Sequence, residues 1–172
     1  MRSAVFAVAL AFAATGANAA ALKPALQPLA FLVGDWTGDD GQVQDTGGRS
    51  RGVSRITVDA NGGVLLRRDH TELTGPDGKP QGGFDLIMLI YPDADGIAAD
   101  YSDGDHVIHY RSATVEAGRK VIFTSTAPPG APSFRLSYEL TAPKVLTLTF
   151  GMIPPGGADF RPIASGTLRK QN

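Results

Sequence analysis

From about residue 35 onward, short runs of alternating apolar and polar residues recur along the chain, punctuated by glycine and proline. In Ser133 to Thr141, Phe134, Leu136, Tyr138 and Leu140 share one side of an extended segment while Arg135, Ser137, Glu139 and Thr141 share the other. Val145 to Met152 repeats the pattern, with Leu146, Leu148 and Phe150 opposed to Thr147 and Thr149. Successive side chains of a strand point to opposite faces, so each segment reads as a strand with one buried face. The same reading predicts strands at Asp35 to Gln44, Gly52 to Val58, Val64 to Leu73, Phe84 to Tyr91, Ile97 to Tyr101, His106 to Val115, Lys120 to Thr126 and Phe160 to Arg169. That makes about ten in all.

The connections between them are short. Asn61-Gly62-Gly63 predicts a tight hairpin, because Asn-Gly supplies the positive φ angles of the primed turns. Pro92 to Gly96, Asp103-Gly104-Asp105 and Ala117-Gly118 are turns of similar length, whereas parallel pairing needs long crossovers. The expected sheet is therefore an antiparallel meander. No segment holds a 3.6-residue period for three turns. Leu26 to Leu32, interrupted by Pro28 and followed by Gly34, supports one helical or 3₁₀ turn leading into the first strand. A sheet of this many strands tends to curl, and closing it removes both unpaired edges. The fold expected is all-β, an antiparallel up-and-down β-barrel with a short N-terminal helical turn. The run Leu86 to Tyr91 is apolar without a break, which calls for cover on its outer face as well. Either the N-terminal turn lies across it, or a homodimer forms through Phe84 to Tyr91.

Composition adds the setting. Arg2, the uncharged apolar run Ala4 to Ala14 and the small residues of Ala17-Asn18-Ala19 have the form of a signal peptide cleaved after Ala19. The domains expected are thus a leader, 1–19, and a barrel, 20–172, in a periplasmic or secreted protein. The apolar run is shorter than the roughly 20 residues that span a bilayer, and no second such run follows. The chain has 16 basic and 17 acidic residues, and loss of Arg2 with the leader leaves a net charge of −2. Near-neutrality without a Lys/Arg cluster argues against nucleic acid as partner. With no cysteine, disulfides, thiolate chemistry and Cys-based zinc sites are excluded.

Phe31-Leu32-Val33-Gly34-Asp35-Trp36-Thr37-Gly38 resembles the opening of the calycin proteins, the lipocalins and their relatives, where Gly-x-Trp begins the first strand. In that superfamily the Trp closes one barrel end and an Arg of the last strand packs over it. The resemblance implies that Trp36 and Arg169 form this closure. Ile90-Tyr91-Pro92, Ala99-Asp100-Tyr101, Gly104 to Tyr110, Pro132 to Tyr138 and Ser165-Gly166-Thr167-Leu168-Arg169 are similar to a bacterial family of exported, lipocalin-like domains of unknown function. That likeness implies a barrel and a periplasmic setting, and no activity. Nitrobindin-type haem barrels share the Gly-x-Trp opening but bind iron through a His on the last strand. Phe160 to Arg169 has none, so no haem or other cofactor is implied unless His70, His106 or His109 took that role.

Candidate chemistry is sparse. His106 and His109 form His-x-x-His, yet residues three apart on a strand face opposite ways, so no metal site is expected there. Asp93-x-Asp95-Gly96 and Asp103-Gly104-Asp105 lack the closing Glu of a calcium loop and read as turns. No Gly-x-Ser-x-Gly elbow or phosphate-binding loop occurs, and no catalytic residue is assigned. The third strand carries Arg68, His70 and Glu72 on one face and Arg67, Asp69 and Thr71 on the other. If the barrel closes, one of these sets faces the lumen and needs partners or a ligand. The leading expectation is a module that holds a small apolar or amphipathic molecule in the lumen, with His70, Tyr101, His109 and Tyr138 as lining residues. The alternatives are an enzyme using the His106/His109 region with Asp100 or Tyr101, and a structural or protein-binding barrel acting through the fourth strand.

Overall fold

The computed structural model describes residues 21–172; the expected leader, 1–19, lies outside the described residues. Ten strands follow in chain order: β1 (Gly34–Val43), β2 (Gly48–Asp59), β3 (Val64–Thr74), β4 (Pro80–Asp93), β5 (Gly96–Ser102), β6 (Val107–Glu116), β7 (Lys120–Ser125), β8 (Ser133–Ala142), β9 (Val145–Ile153) and β10 (Arg161–Lys170). Each pairs antiparallel with its neighbours in sequence, and β10 returns to β1 to complete a closed, lipocalin-like up-and-down barrel. The closing seam pairs Trp36 with Lys170 and Thr37 with Arg169, then shifts register by one residue before Gln42 meets Ser165. In the gap the Asp40 carboxylate accepts a hydrogen bond from the Thr167 amide, 2.9 Å, in place of a ladder partner.

A 3₁₀ helix, Pro24–Leu32, runs for nine residues before β1. It is longer than the single turn the sequence suggests. Runs of 3₁₀ helix beyond three or four residues are uncommon, because the hydrogen bonds are strained. Here the three-residue period places Leu26, Leu29 and Leu32 on one stripe, and all three are fully buried in the barrel end. Burying a leucine contributes roughly 1.5–3 kcal/mol, enough for the three together to offset the poor geometry. The helix is also stitched to the turns at that end. The Lys23 amide donates to the Gly62 carbonyl, 2.9 Å, and the Gly118 amide donates to the Pro28 carbonyl, 2.8 Å.

The β2–β3 connection is the tight hairpin expected at Asn61-Gly62-Gly63, one residue longer. Four residues, Ala60 to Gly63, separate the last pair, Asp59 and Val64. Ala60, Asn61 and Gly62 all have positive φ. Gly62 is required for a further reason: a Cβ there would lie 2.1 Å from the Ala21 carbonyl oxygen. The turn is shaped by the N-terminal segment that crosses it.

Trp36 sits on β1 directly above the leucine stripe, 1% exposed, and its indole N–H donates to the Leu32 carbonyl at 2.8 Å. The cation over its ring is Lys170, with Nζ 5.3 Å from the indole centroid. This corrects the expected pairing with Arg169 by one residue. Lys170 is the cross-strand partner of Trp36 and shares its face, whereas Arg169 is exposed.

On β4 the inward positions Leu86, Met88 and Ile90 are buried, and Ile87 and Leu89 on the outer face are each 41% exposed. The N-terminal helix does not cover that face, because its leucines fill the barrel end instead. Elsewhere the outer surface of β2 and β3 carries Arg49, Arg51, Arg55, Arg68 and Glu72, all exposed. No helix among the described residues is long and apolar enough to cross a membrane.

Candidate functional site

Above the Trp36 layer the barrel interior opens into a cavity of about 190 Å³ that runs toward the opposite end. Its walls are mainly apolar: Leu86 from β4, Leu136 from β8, Leu148 and Phe150 from β9, and Leu168 from β10. One sector is polar. Ser54 of β2 and Arg67, Asp69 and Thr71 of β3 face inward there, with Tyr101 and Tyr110 of β5 and β6 completing the ring.

The register explains which set of β3 turns inward. Val64 pairs with Asp59, so Arg67 falls opposite Ile56 and Asp69 opposite Ser54. Ile56 belongs to the buried core, and whatever lies beside it on the same face is committed to the lumen. Arg67 and Asp69 are therefore both interior, with side chains only 6% and 7% exposed.

A buried charge is tolerated only with partners. The Arg67 guanidinium grips Asp69 in a fork, Nε donating to both carboxylate oxygens at 2.9 Å and Nη2 donating to Oδ2. Nη1 donates to the Tyr138 hydroxyl. Burial pushes the Arg67 pKa down, but Asp69 and Tyr138 more than reverse this, leaving it above its ordinary value. Burial likewise pushes the Tyr138 hydroxyl up to about 12, against the opposing pull of Arg67. Burial dominates the upward shift of Tyr110 as well, and none of the hydrogen bonds among the described residues engages its hydroxyl. Ser54 is 4% exposed, and its Oγ is buried without a hydrogen-bond partner.

Of the four lining residues expected from sequence, two face the interior. Tyr101 contributes to the cavity wall, and its hydroxyl donates to Asp103 at 2.9 Å in the β5–β6 turn. Tyr138 is fully buried beneath Arg67. The other two expectations are corrected. His70 lies on the outer face, 56% exposed, with Nδ1 2.8 Å from Asp85, and borders an outer hollow with Arg51 and Glu72. His109 is also outward and 56% exposed, its Nδ1 2.6 Å from Asp100. The opposite set of β3 took the interior, and parity carried both histidines out.

Asp100 gathers a polar network on that outer face. Besides His109 it accepts from the Tyr91 hydroxyl at 2.6 Å and pairs with Arg111 at 2.8 Å. Burial raises its pKa, but the bonds from Tyr91, His109 and Arg111 outweigh this and leave it below the usual carboxylate value. His106 stands in the neighbouring turn, 3.3 Å from Asp103. Each imidazole thus meets a carboxylate, and neither borders the cavity. No cluster of three metal-ligating side chains occurs among the described residues.

No protein-family model matches the chain, and no curated protein matches it. Among solved structures, EF1p2_mFAP2b bound to DFHBI is similar to it at 14% identity, covering 84% of this chain and 98% of that one, with a TM-score of 0.42. At that score nothing about that protein's ligand is carried over to this chain.

Proposed function

We propose that this protein is exported and binds a small, largely apolar molecule in the barrel lumen. The observation that carries this reading is the Ser54 hydroxyl, buried without a partner on the wall of the cavity. An unsatisfied buried hydroxyl costs about 1–3 kcal/mol, and such groups are rare unless something completes them. The surroundings have the composition of a ligand pocket, apolar walls with a few convergent polar groups. Export rests on the leader-like residues 1–19.

Native mass spectrometry of protein purified from the periplasm tests both parts. The expected result is a species beginning at Ala20 that carries a small-molecule adduct. A Leu136→Trp substitution, which fills the cavity, should remove the adduct. A bare polypeptide from its native compartment, with the same thermal stability before and after extraction with organic solvent, would count against binding.

A further inference from the structure

We infer that the lumen selects an uncharged molecule about the size of one substituted ring, presenting a hydrogen-bond donor and acceptor to Ser54 and Tyr110. The inference rests on the binding reading and specifies its ligand.

Charge decides the first part. Arg67 and Asp69 are the charged side chains turned into the cavity, and they are already spent on each other. Arg51, which also borders it, turns its guanidinium outward to Glu72 at 2.6 Å. The interior sector is therefore neutral. A carboxylate entering it would meet Asp69 at short range in a medium that screens poorly, and would have to displace it from a two-pronged contact to reach Arg67. An ammonium group would face the guanidinium with no free carboxylate to receive it.

The hydroxyls decide the second part. Ser54 Oγ is unpartnered, and the Tyr110 hydroxyl is not engaged by the described residues. A hydroxyl can both donate and accept, so an amide or phenol edge satisfies this pair where a hydrocarbon would not.

Volume decides the third. The cavity, about 190 Å³, slightly exceeds the ~150 Å³ apolar cavity known to hold benzene. Leu136, Leu148 and Phe150 offer the apolar wall against which such a ring would lie.

Calorimetric titration of the purified protein with four size-matched probes, benzamide, benzoate, benzylamine and toluene, tests this. Benzamide should bind most tightly. Ser54→Ala and Tyr110→Phe should each weaken benzamide about fivefold to tenfold, the effect of one lost hydrogen bond, and leave toluene unchanged. The two variants remove a single hydroxyl each, so failure of one to fold leaves the other as the test. Benzoate or benzylamine binding as tightly as benzamide, or benzamide binding unaltered in both variants, would overturn the inference while leaving lumen binding in place. If none of the four binds and the periplasmic protein carries no adduct, the inference and the binding reading fall together.

Discussion

Trp36 and Lys170 face each other across the seam that closes the barrel, the ammonium 5.3 Å from the indole centroid. Gly34 makes room for this contact: a Cβ there would lie 2.4 Å from Lys170 Cε, and its φ of +140° disfavours any other residue. The lysine stem crosses the bare glycine to reach the ring.

Because the indole is fully enclosed, Trp36→Ala should destabilise the fold by about 3–5 kcal/mol. Lys170→Ala should cost about 0.5–1 kcal/mol, the range of an accessible cation–π contact, and Arg169→Ala close to nothing. Urea unfolding followed by far-ultraviolet circular dichroism measures all three, and the fluorescence of the single tryptophan checks the Lys170 and Arg169 variants. Equal losses at positions 169 and 170 would contradict the assignment of the cation.

The Arg67–Asp69 pair makes a prediction of opposite sign for single and double changes. Asp69→Asn leaves a guanidinium buried with no counter-charge and should cost about 3–5 kcal/mol. Replacing both, as Arg67→Met with Asp69→Leu, should restore much of that stability, since apolar residues of similar volume remove the desolvation cost. A double-mutant cycle by chemical denaturation reads the coupling directly.

All four tyrosines, Tyr91, Tyr101, Tyr110 and Tyr138, are shifted upward. For Tyr101, Tyr110 and Tyr138 burial is the main cause, and for Tyr91 it is the bond it donates to Asp100. A group whose folded pKa exceeds its unfolded value contributes stability that is complete below the unfolded pKa and is lost as pH rises toward the folded one. The native protein should therefore show little tyrosinate absorbance at 295 nm as pH passes 10, the ordinary phenol value. Stability should fall from pH 10 upward, and tyrosinate should appear together with loss of β-sheet circular dichroism. Independent titration of the tyrosines near pH 10 in a folded protein would show the lumen to be wetter than described.

Leu29 is fully buried in the middle of the leucine stripe. Leu29→Ala should cost about 2–5 kcal/mol, and Leu29→Lys should loosen the helix from the barrel end. Hydrogen exchange of the Trp36 indole N–H, whose hydrogen bond goes to Leu32, reports that release separately from global unfolding.

The ten strands were readable because β8 and β9 alternate cleanly and the turns between strands carry Gly, Asn and Asp. The interior chemistry was harder. β3 carries charge on both faces, so composition could not say which set entered the lumen. The decisive signal was the pairing partner, since an apolar Ile56 opposite Arg67 commits that face inward. The histidines were selected by residue type, and parity turned them outward. Arg169 followed from the calycin resemblance, which asks for an arginine, and the run Ala-Ser-Gly-Thr on β10 has no hydrophobic alternation to show that Lys170 is the residue sharing the face of Trp36. The helix is legible in the sequence only as a single turn at Leu26 to Leu32, because its leucines repeat every three residues, a period that a search for 3.6 passes over.

The seam that joins β1 to β10 also governs how the chain can reach this shape. Its contacts link residues near 36 with residues near 170, so ring formation waits for the final segment and is intrinsically slow. An unfinished polypeptide stays an open sheet with two sticky margins. For a chain exported as proposed above, that delay would be useful: the polymer remains threadable until its last strand has arrived.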